Sequence, residues 1–114
     1  MLTIYEKPTC STCRKLRELL DQRGVAYETV DYFRDGIDVA TLTAVLAKAG
    51  IGPRDALRTR GDLLERNGIT DQQPDDERLI ELIVTDPDLL QRPLVVAGDR
   101  AVLARPIERA LDVV

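Results

Sequence analysis

The chain contains no histidine and no tryptophan, and only two of its 114 residues are cysteines. Without histidine it lacks the Cys-His and Ser-His catalytic pairs, the usual proton shuttle near neutral pH and every imidazole metal ligand. Two thiols are too few for a structural zinc site, so no metal is expected. The chemistry left for the cysteine pair is redox chemistry.

Long apolar runs and an excess of basic residues are also missing. No segment approaches the roughly 18 apolar residues that span a bilayer, and residues 1–5 are too short for a signal peptide, so we expect a cytoplasmic protein without membrane contact. Net charge is −4, which disfavours nucleic acid as a partner. With 44% apolar and 32% charged residues, the composition indicates a single globular domain over residues 1–114.

The first thirty residues have the pattern of a strand, a helix and a second strand. Leu2 to Tyr5 is a short β-prone run, and Ser11 or Thr12 is expected to cap the helix that follows. Residues 25–30 then form the second strand, so the sequence predicts a βαβ unit with a right-handed crossover.

The rest of the chain predicts a helical insertion followed by a hairpin and a last helix. The insertion covers about residues 37–90, and Asp38 and Asp75 are placed to cap helices within it. Residues 94–103 read as two short strands around a turn, and Pro106 is expected at the first position of the final helix. This order folds most economically as one mixed sheet with helices on its faces, an α/β architecture of the thioredoxin-like type.

Cys10 lies where the first strand turns into the first helix. Three features favour its thiolate: the helix N-terminus, the cation of Arg14 one turn on, and the hydroxyl donors of Ser11 and Thr12. Cys13 faces the same side one turn later. It is either a resolving cysteine or a small apolar residue of the core.

Most of the arginines are expected to be solvated surface residues, but three have contexts that a surface role does not explain well. Arg58 ends a short helical segment, whereas Arg92 and Arg105 each precede a proline. A planar guanidinium suits bidentate contact with a tetrahedral oxyanion. The Arg92-Pro93 bond lies directly before a strand, where the thioredoxin-like fold leads us to expect Pro93 to be cis.

These residues belong to motifs that resemble a known family. A Tyr-x-x-Pro-x-Cys opening, an arginine segment, an acidic helix start, an Arg-Pro-(Leu/Ile)-Val-Val strand and an Arg-Pro-x-Glu helix follow one another along the chain. They stand at Tyr5–Cys10, Gly52–Arg58, Asp76–Ile80, Arg92–Val96 and Arg105–Glu108. The set resembles the thiol-dependent, glutaredoxin-linked arsenate reductase family, in the same superfamily as the Spx regulators.

The resemblance implies a role for each matching position. Cys10 would attack arsenate, Arg14 would support its thiolate, and Arg58, Arg92 and Arg105 would hold the oxyanion. The implied reaction reduces arsenate to arsenite, an arsenic detoxification step. The reaction needs no bound cofactor, but it needs an external thiol reductant, which is either glutathione with glutaredoxin or thioredoxin. We expect the protein to be a monomer.

Two other functions remain open from the sequence. The Cys10-x-x-Cys13 pair resembles that of Spx-like regulators, in which it is a redox switch on a protein that binds RNA polymerase. A generic glutaredoxin-like disulfide reductase is the third interpretation, and it would not need the arginines. Glu6 stands where the arsenate reductases often carry a histidine.

Overall fold

The computed structural model describes all 114 residues and contains one four-stranded sheet in the order β2-β1-β3-β4. The strands are β1 (Leu2–Glu6), β2 (Tyr27–Asp31), β3 (Leu94–Ala97) and β4 (Arg100–Leu103). Strand β1 pairs parallel with β2 and antiparallel with β3, and β4 pairs antiparallel with β3. The predicted mixed sheet, with its βαβ unit and its terminal hairpin, is confirmed.

Five α-helices and three 3₁₀ helices complete the predicted thioredoxin-like α/β architecture. The α-helices are α1 (Ser11–Gln22), α2 (Tyr32–Asp35), α3 (Val39–Ala49), α4 (Leu63–Arg66) and α5 (Asp76–Thr85). The 3₁₀ helices are Pro53–Ala56, Pro87–Leu89 and Ile107–Asp112. None of the helices is both long and apolar enough to span a membrane.

Two of the predicted helix caps form as expected. The Asp38 carboxylate accepts a hydrogen bond from the backbone N–H of Thr41 at the start of α3, and the Asp75 carboxylate accepts one from Arg78 at the start of α5. Each bond satisfies a backbone donor that the first helical turn leaves without a partner.

Three details of the prediction were wrong. Neither Ser11 nor Thr12 is the N-cap of α1, because the helix begins at Ser11 and Cys10 itself occupies the cap position. The predicted last helix is a 3₁₀ helix, and Pro106 is its N-cap rather than its first residue. Helix α2 was not predicted. It has only four residues, capped by the Asp31 carboxylate, which is too few for a helical periodicity to show.

The sheet separates two apolar clusters, since successive side chains of a strand point to opposite faces. Leu94 of β3 belongs to the cluster with α3 and α5, whereas the adjacent Val95 belongs to the cluster with α1. In β1 the alternate positions Leu2, Ile4 and Glu6 are the buried ones. Helix α1 packs on that face through Leu16 and Leu20, and each fully buried leucine contributes about 1.5–3 kcal/mol of transfer free energy.

Candidate active site

A pocket of about 410 Å³ lies at the N-terminal end of α1. Five of the 11 lining residues are lysine or arginine, and none is acidic. The lining consists of Lys7, Thr9, Cys10, Ser11, Thr12, Arg58, Thr59, Arg60, Gln91, Arg92 and Arg105. In a chain of net charge −4, this concentration of cations and hydroxyl groups marks a place for a small anion. The structure brings together Cys10 and the three arginines that the sequence singled out.

Arg92 is the most buried cation of the pocket, with 4% of its surface exposed. Its Nη1 donates to Oδ1 of Asp88 at 3.2 Å, and its guanidinium carbon lies 5.3 Å from the centre of the Phe33 ring. The buried Nε donor has no protein partner. A buried donor left unpaired costs about 1–3 kcal/mol, a cost that an anionic ligand would relieve.

Asp88 positions a second arginine as well. Its Oδ1 accepts a hydrogen bond from Nη1 of Arg58 at 3.0 Å, so one carboxylate oxygen binds both guanidinium groups. The backbone N–H of Arg58 also donates to the carbonyl of Leu89 at 2.7 Å. These contacts fix Arg58 beside Arg92 although 34 positions separate them in the sequence.

Arg105 completes the set from the chain that follows β4, next to Arg92 at the open end of the hairpin. Its Nη1 donates to the backbone carbonyl of Arg92 at 2.7 Å. The Arg92-Pro93 peptide bond is cis, and Pro93 is buried directly before β3. The Gln73-Pro74 and Arg105-Pro106 bonds are also cis.

The pKa of the Cys10 thiol is lowered from 9.0 to about 7. Burial opposes this shift, because it penalises the charged thiolate, but four contacts outweigh burial: the backbone N–H and the thiol of Cys13, the guanidinium of Arg92 and the backbone N–H of Thr12. About half of the Cys10 side chains are therefore thiolate at neutral pH.

The residues predicted to support this thiolate lie at different places relative to the Cys10 sulfur. Thr12 acts through its backbone N–H rather than through its hydroxyl, and Ser11 is a lining residue of the pocket. Arg14 lies outside the pocket, where its Nε is 3.8 Å from Oε1 of Glu18 and 63% of its side chain is exposed. The guanidinium next to the thiol is that of Arg92, which comes from a distant part of the chain.

Cys13 has the opposite environment. Its side chain is fully buried, and burial is the main cause that raises its pKa from 9.0 to about 12. The nearby Cys10 thiolate and the Glu6 carboxylate raise it further, and a backbone contact from Lys7 lowers it. Both cysteines are free thiols in the structure. The pair therefore consists of a partly exposed sulfur whose pKa is lowered and a buried sulfur whose pKa is raised.

Sequence reasoning missed Asp88, the carboxylate that binds two of the pocket arginines. The only sequence signal for Asp88 is its spacing, four positions before Arg92, and acid–arginine pairs with that spacing are common on exposed surfaces. No group of three or more histidine, cysteine or carboxylate side chains is arranged to hold a metal ion. The chemistry that the pocket offers is a nucleophilic thiolate beside convergent guanidinium groups.

A family model described as the ArsC family matches residues 5–113. This chain belongs to the ArsC family. Among curated relatives, the Escherichia coli K12 protein YfgD is 37% identical over 112 residues, which cover 97% of this chain and 94% of the relative. An arsenate reductase of Neisseria meningitidis is 33% identical, with 94% of this chain and 92% of the relative covered.

Among solved structures, an arsenate reductase from Vibrio cholerae matches this ArsC-family chain with a TM-score of 0.92 at 28% identity, covering 99% of this chain and 97% of the other. The global transcriptional regulator Spx of Enterococcus faecalis is a more distant relative. It is 27% identical over 100 residues, with 88% of this chain and 76% of the regulator covered.

Proposed function

We propose that this chain is a thiol-dependent oxidoreductase that reduces arsenate to arsenite through Cys10. The observation that carries the proposal is that a thiol with a pKa of about 7 shares one cationic pocket with Arg58, Arg92 and Arg105, in a chain of the ArsC family. Enzymes of this family use external thiol reductants and no prosthetic group.

The three arginines bind the substrate oxyanion in this proposal. The acidic surface of the whole chain opposes an approaching dianion, but convergent guanidinium groups in a partly desolvated pocket interact far more strongly than dispersed charges in water. Asp88 prevents the two cations it binds from turning away from each other. Their planar donors fit arsenate oxygens, and they stabilise the charge that grows on oxygen as the As–O bond breaks.

The reaction takes two steps at sulfur. First, the Cys10 thiolate attacks arsenic(V), so that a Cys10–As bond forms and one arsenate oxygen leaves as water after protonation. Second, another thiol attacks the Cys10 sulfur. A disulfide forms, the electron pair of the sulfur–arsenic bond passes to arsenic, and arsenic(III) leaves as arsenite. Arsenic gains two electrons, and the two sulfurs together lose two.

Cys13 is the second thiol in this proposal, because it lies next to Cys10 in the protein. The product is then a Cys10–Cys13 disulfide, which an external thiol system such as thioredoxin, or glutathione with glutaredoxin, reduces again. We expect the enzyme to act as a monomer in the cytoplasm, where such reductants are kept.

Arsenite release with a thiol reductant tests the function. The wild type should release arsenite in repeated turnovers, whereas Cys10→Ser should release none above the rate of the reductant alone, because serine is not ionised near neutral pH. Each should be assayed with glutathione and glutaredoxin and, separately, with thioredoxin. Equal rates for the two proteins would exclude Cys10 as the nucleophile.

A redox-switched regulator is the second candidate, favoured by the Cys10-x-x-Cys13 pair and by the likeness to Spx. It predicts that RNA polymerase captures the oxidised and the reduced chain to different extents. A generic disulfide reductase predicts instead that small disulfides are reduced as fast by Arg92→Ala as by the wild type. Arsenate turnover without either property supports the reductase proposed above.

A further inference from the structure

Lys7 is a pocket residue to which the steps above give no role. Its carbonyl accepts a hydrogen bond from the backbone N–H of Cys10 at 2.9 Å. This turn connects the end of β1 to the start of α1, and Lys7 lines the same pocket as Cys10. The residue is half-buried, and its ammonium group forms no ion pair with a carboxylate. Its positive charge is therefore available to a ligand.

The ring of Phe33 holds this ammonium group beside Arg92. The Nζ atom of Lys7 lies 4.6 Å from the centre of the ring, and the guanidinium carbon of Arg92 lies 5.3 Å from the same centre. The face of an aromatic ring attracts a cation at these distances. Phe33 itself packs against the buried ring of Tyr32, with 5.2 Å between the ring centres. Lys7 and Arg92 are thus neighbours in space, although they come from opposite ends of the chain.

The first step of the reaction needs a proton donor. Thiolate attack expels an oxygen of arsenate, and hydroxide leaves far more readily when it is protonated as it departs. The chain has no histidine, and a guanidinium group keeps its protons in proteins. Hydroxyl and amide groups are too weakly acidic. Among the side chains that line the pocket, this leaves Cys10, which is the nucleophile, and Lys7.

We propose that the Lys7 ammonium group is the general acid that protonates the leaving oxygen of arsenate. This inference rests on the proposed arsenate reduction. As the Cys10 sulfur bonds to arsenic, the bond from arsenic to a hydroxyl oxygen breaks, and its electron pair stays on that oxygen. The oxygen takes a proton from Nζ and departs as water. Arsenic remains arsenic(V) in this step, and the neutral Lys7 amine recovers its proton from solvent.

The position of Lys7 suits a donor to the leaving group. In a displacement at a tetrahedral oxyanion, the attacking and leaving atoms lie roughly in line, on opposite sides of the central atom. A donor to the leaving oxygen therefore lies away from the sulfur. The contacts that lower the pKa of Cys10 come from Cys13, Thr12 and Arg92, and Lys7 is not among them.

A purely electrostatic role for Lys7 has a different consequence. Lysine and arginine carry the same charge, but arginine does not release a proton in the pH range of enzymes. If Lys7 only attracted the anion, Lys7→Arg would keep the activity that Lys7→Met loses. If Lys7 donates a proton, both substitutions lower the rate.

The test measures kcat/KM for arsenate as arsenite release with the thiol reductant in excess. Lys7→Arg and Lys7→Met should each lower this value by about 10²-fold, the lower end of what a positioned general acid contributes. Lys15→Met is the matched control, because it removes the same charge from an exposed position of α1, and its kcat/KM should match the wild type.

Alkylation by iodoacetamide tests the nucleophile separately. Iodide leaves without a proton, so the alkylation rate of Cys10 against pH should be the same in Lys7→Arg as in the wild type. This measurement needs no arsenate, and it shows that the pocket of the variant is intact.

Chemical rescue adds a second test of proton donation. Added ethylammonium should raise the kcat/KM of Lys7→Ala in proportion to its concentration, because it supplies the missing charge together with a proton that it can release. Guanidinium at the same low, non-denaturing concentration supplies the charge alone, and it should not raise the rate.

Wild-type kcat/KM in Lys7→Arg would overturn the proposal, and so would equal rescue by guanidinium and ethylammonium. If Lys7→Ala does not fold, as judged by circular dichroism, the comparison of Lys7→Arg with the wild type decides. A wild type that releases no arsenite would overturn the proposed arsenate reduction and this role with it. Loss of the Lys7 role alone would leave Cys10 as the nucleophile.

Discussion

The surroundings of Cys10 and Cys13 differ more than the three positions between them suggest. Cys10 lies half-buried at the N-terminal end of α1. Backbone donors and Arg92 surround its sulfur, and its pKa is about 7. Cys13 lies one turn deeper in the interior, close to the Glu6 carboxylate, and its pKa is about 12. The pKa values of two identical side chains are thus shifted in opposite directions from the ordinary thiol value.

Position relative to a helix end and to fixed charges determines which of the two sulfurs ionises more readily. The thiolate forms where donors point at it and where a cation is near. The Cys13 thiol stays protonated because it is buried and the nearby Cys10 and Glu6 charges are negative. The donors around Cys10 come from Thr12 and Cys13 of α1 itself and from Arg92 of a distant segment.

Substitution of Arg92 should have the largest effect on the reactivity of Cys10. Arg92→Ala takes away a substrate ligand and the cation next to Cys10, so kcat/KM for arsenate should fall by about 10²–10³-fold, as for the loss of one oxyanion donor. The midpoint of the rate of iodoacetamide alkylation against pH should rise above 7. Steady-state arsenite release and the alkylation profile measure the two effects.

Arg14→Ala is the control for that variant, because Arg14 lies outside the pocket and pairs with Glu18. Its turnover and its alkylation midpoint should match the wild type. Should Arg14→Ala raise the midpoint as much as Arg92→Ala does, the thiolate would be supported from α1 itself, and the assignment to Arg92 would be wrong.

Substituting Cys13 separates its two effects on Cys10. Cys13→Ala removes both the hydrogen-bond donor and the resolving thiol, whereas the hydroxyl of Cys13→Ser still donates. We therefore expect the alkylation rate of Cys10 at pH 6 to fall by about tenfold in Cys13→Ala, equivalent to one pKa unit, and to change little in Cys13→Ser.

Neither Cys13 variant should form an internal disulfide, so both should require an external thiol for the second step. Mass spectrometry of the oxidised proteins checks this. The same alkylation rate in the alanine and serine variants would show that the Cys13 side chain does not stabilise the thiolate.

The smallest expected effect is on stability. Because folding lowers the pKa of Cys10 from 9.0 to about 7, the folded protein binds fewer protons than the unfolded chain between these values, and Cys10 stabilises the fold increasingly as pH rises from 7 to 9. This contribution is complete above pH 9 and is lost as pH falls through 7.

Urea unfolding of wild type and Cys10→Ser at pH 6, 7, 8 and 9 measures this linkage. The wild type should gain on the order of 1 kcal/mol relative to Cys10→Ser across the range, a value that allows for solvent screening of a partly exposed group. A stability difference that is constant with pH would mean that the thiolate is not stabilised by folding.

Much of the framework could be predicted because its signals are local. Alternating and β-branched residues mark the strands, and Asp38 and Asp75 cap their helices through bonds only three residues long. The start of α1 was predicted one or two positions too late, since Cys10 rather than Ser11 or Thr12 occupies the cap. Helix α2 was missed because a single turn has no period.

The sequence predicted most of the residues that meet in the pocket but not all of the contacts between them. Cys10, Arg58, Arg92 and Arg105 carry recognisable motifs, and they do line one pocket. Arg14 was assigned to the thiolate because helical spacing places it near, yet its long side chain pairs with Glu18 in solvent. The role of Asp88 depends on two arginines from different segments, and no local pattern contains that information.

The sequence by itself determined the order of the strands and of the longer helices, the absence of histidine and the presence of a thiol at a helix start. Those properties depend on residues within one or two turns of each other. Only the tertiary structure decided that Arg92 faces Cys10, that Asp88 binds two arginines and that Glu6 is buried near Cys13. The reason is physical: burial and Coulomb interactions act through space, and the fold alone sets which distant charges share a low-dielectric interior.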